Sequence, residues 1–171
     1  MKRLSFALLL FVCSCRQGDT VRYSGSYFDL KGYLEKEAVR LKSALVDKTV
    51  SKNSNIERRR MKIRSWASEL SLFSESDINK PAWKNSYKTT SSKNKIIYTA
   101  LESNLRTRSI EIVNTSGQVE SITINNRSNN TLYNSSERLE YFPDSLYRIE
   151  KKQKVVVIGT NNYTVTGRII K

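Results

Sequence analysis

Arg58, Arg60, Lys62 and Arg64 fall on alternate residues, the spacing that puts four cations on one face of an extended strand. Such an array can grip phosphate or carboxylate groups, the guanidiniums in bidentate geometry. The competing use of the same residues is an edge strand whose charge keeps other strands from adding to the sheet. Other reactive sets are sparse. The 171 residues contain no histidine, and both cysteines, Cys13 and Cys15, lie near the start. The commonest general base and the commonest metal ligand are therefore missing together, and no thiol follows Cys15 to serve as nucleophile, ligand or disulfide partner. Ser92 and Lys95 have S-x-x-K spacing, but within a polar Ser/Lys/Asn run that reads as a loop. Glu75 with Asp77, and Glu137, Glu140 and Asp144 around Tyr141-Phe142-Pro143, are the candidate acid groupings for a glycosidase dyad. In a chain of formal charge +14 they read instead as caps and ion-pair partners. Trp66, Phe73, Trp83, Tyr98, Tyr141, Phe142 and Tyr147 suit either a pocket for a lipid or sugar face or an ordinary core. The expectation is a protein that is not an enzyme and takes no metal and no cofactor.

The first fifteen residues, MKRLSFALLLFVCSC, place Lys2 and Arg3 before an apolar run from Phe6 to Val12. That is the layout of a secretory signal peptide, with an apolar run too short to span a bilayer. Its ending, Val12-Cys13-Ser14-Cys15, resembles a bacterial lipobox. The resemblance implies cleavage after Ser14, with Cys15 acylated on sulfur and on its new amino group. Plain cleavage at the same bond is the alternative that Val12 and Ser14 permit, but plain secretion has no need of a cysteine just after the cut. In general character the chain resembles the small uncharacterised lipoproteins of Bacteroidetes, on the lipobox alone. Arg16 follows the cysteine where aspartate often marks inner-membrane retention, so the expected location is the outer membrane, lipid-anchored and facing the periplasm.

The elements that must position these residues fall into three parts. Residues 1–14 are the leader, 15–26 the lipidated cysteine and a polar tether, and 27–171 a single α+β domain. Leu30, Leu34, Ala38, Leu41 and Leu45 line one face of a helix capped by Asp29. Lys48–Ser51 and Ile56–Arg64 read as a hairpin around Asn53-Ser54-Asn55, and Ser65 as the cap of a short helix with Trp66, Leu70 and Phe73 on one face; the alternative is a helix reaching back through Ile56, which would scatter the cations. From Tyr87 the period changes to two, with strands at 96–101, 109–113, 119–125, 145–150, 154–158 and 163–170. Ser116-Gly117 and Asn161-Asn162 are the tight-turn signals, and Asn125 to Ser136 reads as a long loop. The fold class is α+β, an N-terminal amphipathic helix packed on an antiparallel β-meander sheet. This order of elements resembles the curved sheets of outer-membrane lipoprotein carriers and receptors.

The functional expectation is a membrane-anchored cell-envelope lipoprotein with a non-catalytic binding or structural role. An acyl-chain-binding carrier is the alternative, and an envelope-polymer hydrolase comes third. The expected partners are the membrane, through Cys15, and an anionic lipid or polysaccharide, through Arg58, Arg60, Lys62 and Arg64. The leader argues against nucleic acid.

Overall fold

The computed structural model describes residues 23–24 and 26–170. The leader, Cys15 and the first part of the tether lie outside the described residues. A short two-stranded ribbon, β1 (Tyr23–Ser24) and β2 (Tyr27–Phe28), precedes helix α1 (Leu30–Arg40). Next come the hairpin β3 (Leu45–Lys52) and β4 (Asn55–Lys62), then two single-turn helices, α2 (Trp66–Glu69) and α3 (Ser71–Ser74). A 3-10 turn at Pro81–Trp83 leads into seven strands. They are β5 (Tyr87–Ser92), β6 (Lys95–Ala100), β7 (Thr107–Thr115), β8 (Gln118–Asn129), β9 (Tyr133–Phe142), β10 (Leu146–Val155) and β11 (Gly159–Ile170).

These strands and the β3–β4 hairpin make one nine-stranded antiparallel sheet in the order β4-β3-β11-β10-β9-β8-β7-β6-β5. Every neighbour pair but one is a sequential hairpin. The exception is β11, the last strand, which pairs with β3, so that Val165 stands opposite Val50. Alternation decides what each face carries. On the helix-backed face, register aligns Val165, Ile149, Leu139, Ile124, Ile110 and Tyr98 across six strands. The next row is Gly167, Tyr147, Tyr141, Ile122, Ile112 and Ile96. Leu30, Leu34, Trp66, Leu70 and Phe73 from the helical segments, with Ile78 from the stretch after α3, complete the buried core with these rows. Gly167 is needed for space. A Cβ there would lie 2.1 Å from the Tyr147 ring, closer than any real contact.

The α+β expectation is corrected by this architecture. Strand accounts for 57 % of the described residues and helix for 15 %, so the fold is mostly antiparallel sheet with small helices rather than one long N-terminal helix packed on a meander. The helix expected to reach Leu45 ends at Arg40, with Leu41 as its C-cap. After a turn the chain enters β3, where Val46, Thr49 and Val50 carry the β-branched side chains that suit a strand. Leu41 and Leu45 continue the helical spacing by coincidence: Leu41 is buried beyond the helix, whereas Leu45 is exposed on the sheet's other face. The expected long loop at 125–136 is mostly strand, leaving a three-residue turn between β8 and β9. The expected strand at 154–158 is the end of β10 and an exposed turn, and Asn161-Asn162 lie inside β11.

The hairpin around Asn53-Ser54 and the short helix capped by Ser65 are present. Asn53 takes φ 53°, and the Ser65 hydroxyl accepts from the Ser68 N–H at 3.2 Å. Ser116-Gly117 turns β7 into β8 with φ of 53° and 80°. Both residues in the left-handed region make a type I′ turn, which matches the twist of the flanking strands.

Candidate functional site

The face of the sheet away from the helices is where charge collects. Register aligns Arg58, Thr49, Thr166, Arg148 and Glu140 in one row, and Arg60, Asp47 and Arg168 in the next. On the other side of the first row lie Thr164, Glu150, Arg138 and Asn125, and beyond them Asn162, Lys152, Ser136 and Arg127. Strand twist opens a cleft of about 520 Å³ over β8 to β11. Arg127, Arg138, Lys152, Glu150, Asn125, Asn162 and Thr164 line it, with Arg108 at its edge. A second cleft of about 650 Å³ shares Arg108 and Arg127 and adds Arg106, Ser103, Asn104, Ser128 and Asn129.

The cations differ in how far they are already occupied. Arg138 and Arg148 share Glu140, at 2.8 and 3.5 Å. Arg60 makes a bidentate pair with Asp47, its Nε and Nη2 donating over 2.7 and 3.0 Å. This contact raises the Arg60 pKa and lowers that of Asp47. Arg108 donates to the carbonyl oxygens of Glu102 and Leu105. Among the described residues Arg127, Lys152, Arg58 and Lys62 have no carboxylate within ion-pair distance. Arg168 and Lys154, exposed on the same face, likewise have none, and these cations are open to an external anion.

Of the cationic strand read from sequence, Arg58, Arg60 and Lys62 share the helix-free face of β4, which is the sheet's edge strand. Arg64 lies past the end of β4, in the bend before α2, so it leaves the row. The cleft residues of β8 to β10 were not singled out from sequence. Their signal was present as cations on alternate residues, Lys152 and Lys154, and as Arg127 within a stretch that composition made look like a loop.

The acid groupings do not converge. Glu137 and Glu140 are an odd number of residues apart on β9 and face opposite sides of the sheet. Glu137 is buried, taking Arg106 at 2.8 Å, Lys151 at 3.0 Å and the Asn126 amide at 3.3 Å. Burial alone would raise its pKa, but Lys151, Arg106 and Asn126 outweigh that and hold it below the usual glutamate value. Asp144 sits in the β9–β10 turn bound to Arg40. Asp77 accepts from the Asn79 backbone and side-chain N–H groups, and its pKa is raised, chiefly by burial. Ser92 and Lys95 face each other across the β5–β6 turn, and the Lys95 ammonium is 2.8 Å from Glu111.

Two further carboxylates lie at the helix–sheet boundary. The Tyr141 hydroxyl donates to Glu37, which also holds the Arg40 guanidinium at 2.6 Å. Tyr147 donates to Glu69 at 2.6 Å, and Lys48 completes that cluster. Burial first, then the adjacent carboxylate, raises the pKa of Tyr141 and of Tyr147. Each carboxylate pins a sheet residue to a helix. The aromatic set does the same by packing: Trp66 meets Tyr147 edge-on at 5.9 Å and Phe73 meets Tyr141 at 6.1 Å. Among the described residues no group of three or more His, Cys, Asp and Glu side chains is placed to hold a metal ion. No described helix is long and apolar enough to cross a membrane. Comparison with models of protein families, with curated proteins and with solved structures finds no match to this chain.

Proposed function

We propose that this protein is a cell-envelope lipoprotein, held at the outer membrane through acylated Cys15 and facing the periplasm, whose domain binds an anionic surface without catalysis. The observation that carries the binding role is the helix-free face. Arg127 and Lys152 line an open cleft without being ion-paired to either of its carboxylates, Glu150 and Glu137, and Arg58 and Lys62 extend the same charge to the sheet's edge. Cations on a rigid sheet, free of internal partners, suit the phosphate or carboxylate groups of lipid headgroups and acidic polysaccharide.

The anchor follows from the leader. Each buried acyl methylene contributes about 0.8 kcal/mol, and stable attachment takes more than one chain. Metabolic labelling with an alkyne fatty acid should mark the wild type and spare Cys15→Ala; equal labelling of both would remove the lipoprotein assignment. For the binding face, affinity for polygalacturonate and for phosphatidylglycerol vesicles should fall in Arg127→Glu with Lys152→Glu, and less in Arg58→Glu with Lys62→Glu. Both losses should shrink as salt approaches and exceeds about 0.1 M, where the Debye length is about 10 Å. Binding insensitive to these reversals and to salt would rule out the electrostatic role.

A further inference from the structure

The β10–β11 hairpin turns through Val156, Val157 and Ile158, which are 75 %, 92 % and 74 % exposed. Leu132, in the neighbouring β8–β9 turn, is 72 % exposed, and its carbonyl accepts the Val156 N–H at 3.2 Å. Two hairpin tips thus meet side by side and present four aliphatic side chains to solvent. The fold does not require them. Chain reversal is served by Gly159 at φ 89°, and the Asn130 side chain accepts from the Leu132 and Tyr133 N–H groups to close the other turn. Turns of this kind ordinarily carry Gly, Asn, Asp or Ser.

The surroundings of the tips are cationic. Lys152 and Lys154 project on one face of β10 and Lys151 on the other, and Arg127 is close by on β8. No acidic residue occurs in 125–136 or in 151–164, the segments that form these two hairpin ends. The tips also stand clear of the adjacent hairpin: β3–β4 turns at Asn53, which bonds to Asn162, while β11 runs on past it to Gly159. The result is a convex apolar point with a collar of lysines behind it.

From this we infer that the paired β8–β9 and β10–β11 tips insert into the interface of an anionic bilayer, Leu132, Val156, Val157 and Ile158 entering the acyl boundary while Lys152 and Lys154 meet the headgroups. Charge complementarity selects that occupant. A convex, all-aliphatic point lacks the aromatic anchors and the concavity of a protein hot spot, whereas lysines set two and four residues behind it match the depth of a headgroup layer. The inference goes beyond the proposed function and does not depend on acylation, because it rests on the tips alone.

The test uses the full chain carrying Cys15→Ala throughout, so that the leader is common to all samples and no acyl chain contributes. Phosphatidylglycerol-containing vesicles are the probe. Val157→Trp should shift its emission to the blue on vesicle addition and be quenched by lipids brominated on the acyl chain, above the background of Trp66 and Trp83. Val157→Asp with Ile158→Asp should weaken vesicle affinity by about tenfold or more, the scale set by keeping one aliphatic side chain in water. Its melting curve should match the parent, since the tip lies outside the core. Lys152→Gln with Lys154→Gln should reduce binding at low salt and bring it towards that seen with phosphatidylcholine. An unquenched Val157→Trp, or aspartates at the tip that leave vesicle affinity unchanged, would overturn the inference. So would a tip-dependent dimer in solution that persists on vesicles with the tip buried between copies.

Discussion

The two ends of this sheet are built on opposite principles. Towards the α1 C-terminus, Tyr141, Tyr147, Ile122, Ile112 and Val46 are sealed by helices, and even the carboxylates there are tied to tyrosine, arginine or lysine. Towards the β10–β11 tip the same strands run on with mostly polar residues on both faces, and the aliphatic side chains cluster at the exposed turns and at Val155 beside them. Between them lies a polar row, Tyr163, Lys151, Glu137, Asn126 and Thr107, on the helix side of the sheet. The contrast separates two environments that share one backbone: the buried core lies where helices cover the sheet, and the uncovered end is open to solvent.

Substitutions at the covered end should have the largest effects. Gly167→Val would drive a side chain into the Tyr147 ring, and overpacking of this severity should cost about 3 kcal/mol or more. A lost cooperative melt, or one well below the wild type in thermal denaturation, is the expected result; an unchanged melt would mean that Tyr147 can vacate its place and that the two ends differ less than their packing indicates. Glu37→Ala comes next. It leaves the buried Tyr141 hydroxyl without its acceptor and Arg40 with Asp144 as its one remaining carboxylate, at a cost of about 3 kcal/mol, against about 1 kcal/mol for Tyr141→Phe. Chemical denaturation of both variants and the double mutant would measure the coupling.

The polar row between the ends gives a smaller, pH-dependent effect. The folded-state pKa of Glu137 is depressed, so its contribution is present above the unfolded glutamate value of 4.5 and is lost as pH falls through the lower folded value. Wild-type stability should therefore decline with acidification in that window more steeply than that of Glu137→Gln, when denaturation midpoints are followed against pH. Parallel curves would show that Lys151 and Arg106 do not favour the carboxylate. Least of all, Asp47→Ala at the exposed β3–β4 edge should leave the melting temperature within error, because its pair with Arg60 is open to solvent.

What could be read from the residues follows the strength of the local pattern. The β3–β4 hairpin was legible because cations alternate with Met61 and Ile63 and the turn carries Asn53-Ser54. The alternation also put Arg58, Arg60 and Lys62 on one face, but it ran two residues past the strand and so took in Arg64. Strand β9 was obscured because its buried side carries Ser135 and Glu137 before Leu139 and Tyr141, which blurs the apolar alternation that marks a half-buried strand. Leu41 and Leu45 misled in the opposite direction, since a four-residue spacing also fits a residue beyond a helix and one in the next strand. The cleft over β8 to β11 was out of reach because it needs the register of four strands, which no local pattern encodes.

Strand β11 has a consequence for how the chain reaches its native state. Within the described sheet it is the strand that joins the early β3–β4 hairpin to the strands that follow, pairing Leu45 with Ile170 and Val50 with Val165. The remaining neighbours in the sheet are local and can zip as soon as their turns close, whereas this junction must wait until the final strand is available. Loop closure over so long a stretch is entropically slow and exposes both unpaired edges in the meantime. Synthesis from the N-terminus delivers β3 and β4 before their partner, so the pairing of β11 with β3 is what turns two locally paired parts into one nine-stranded sheet.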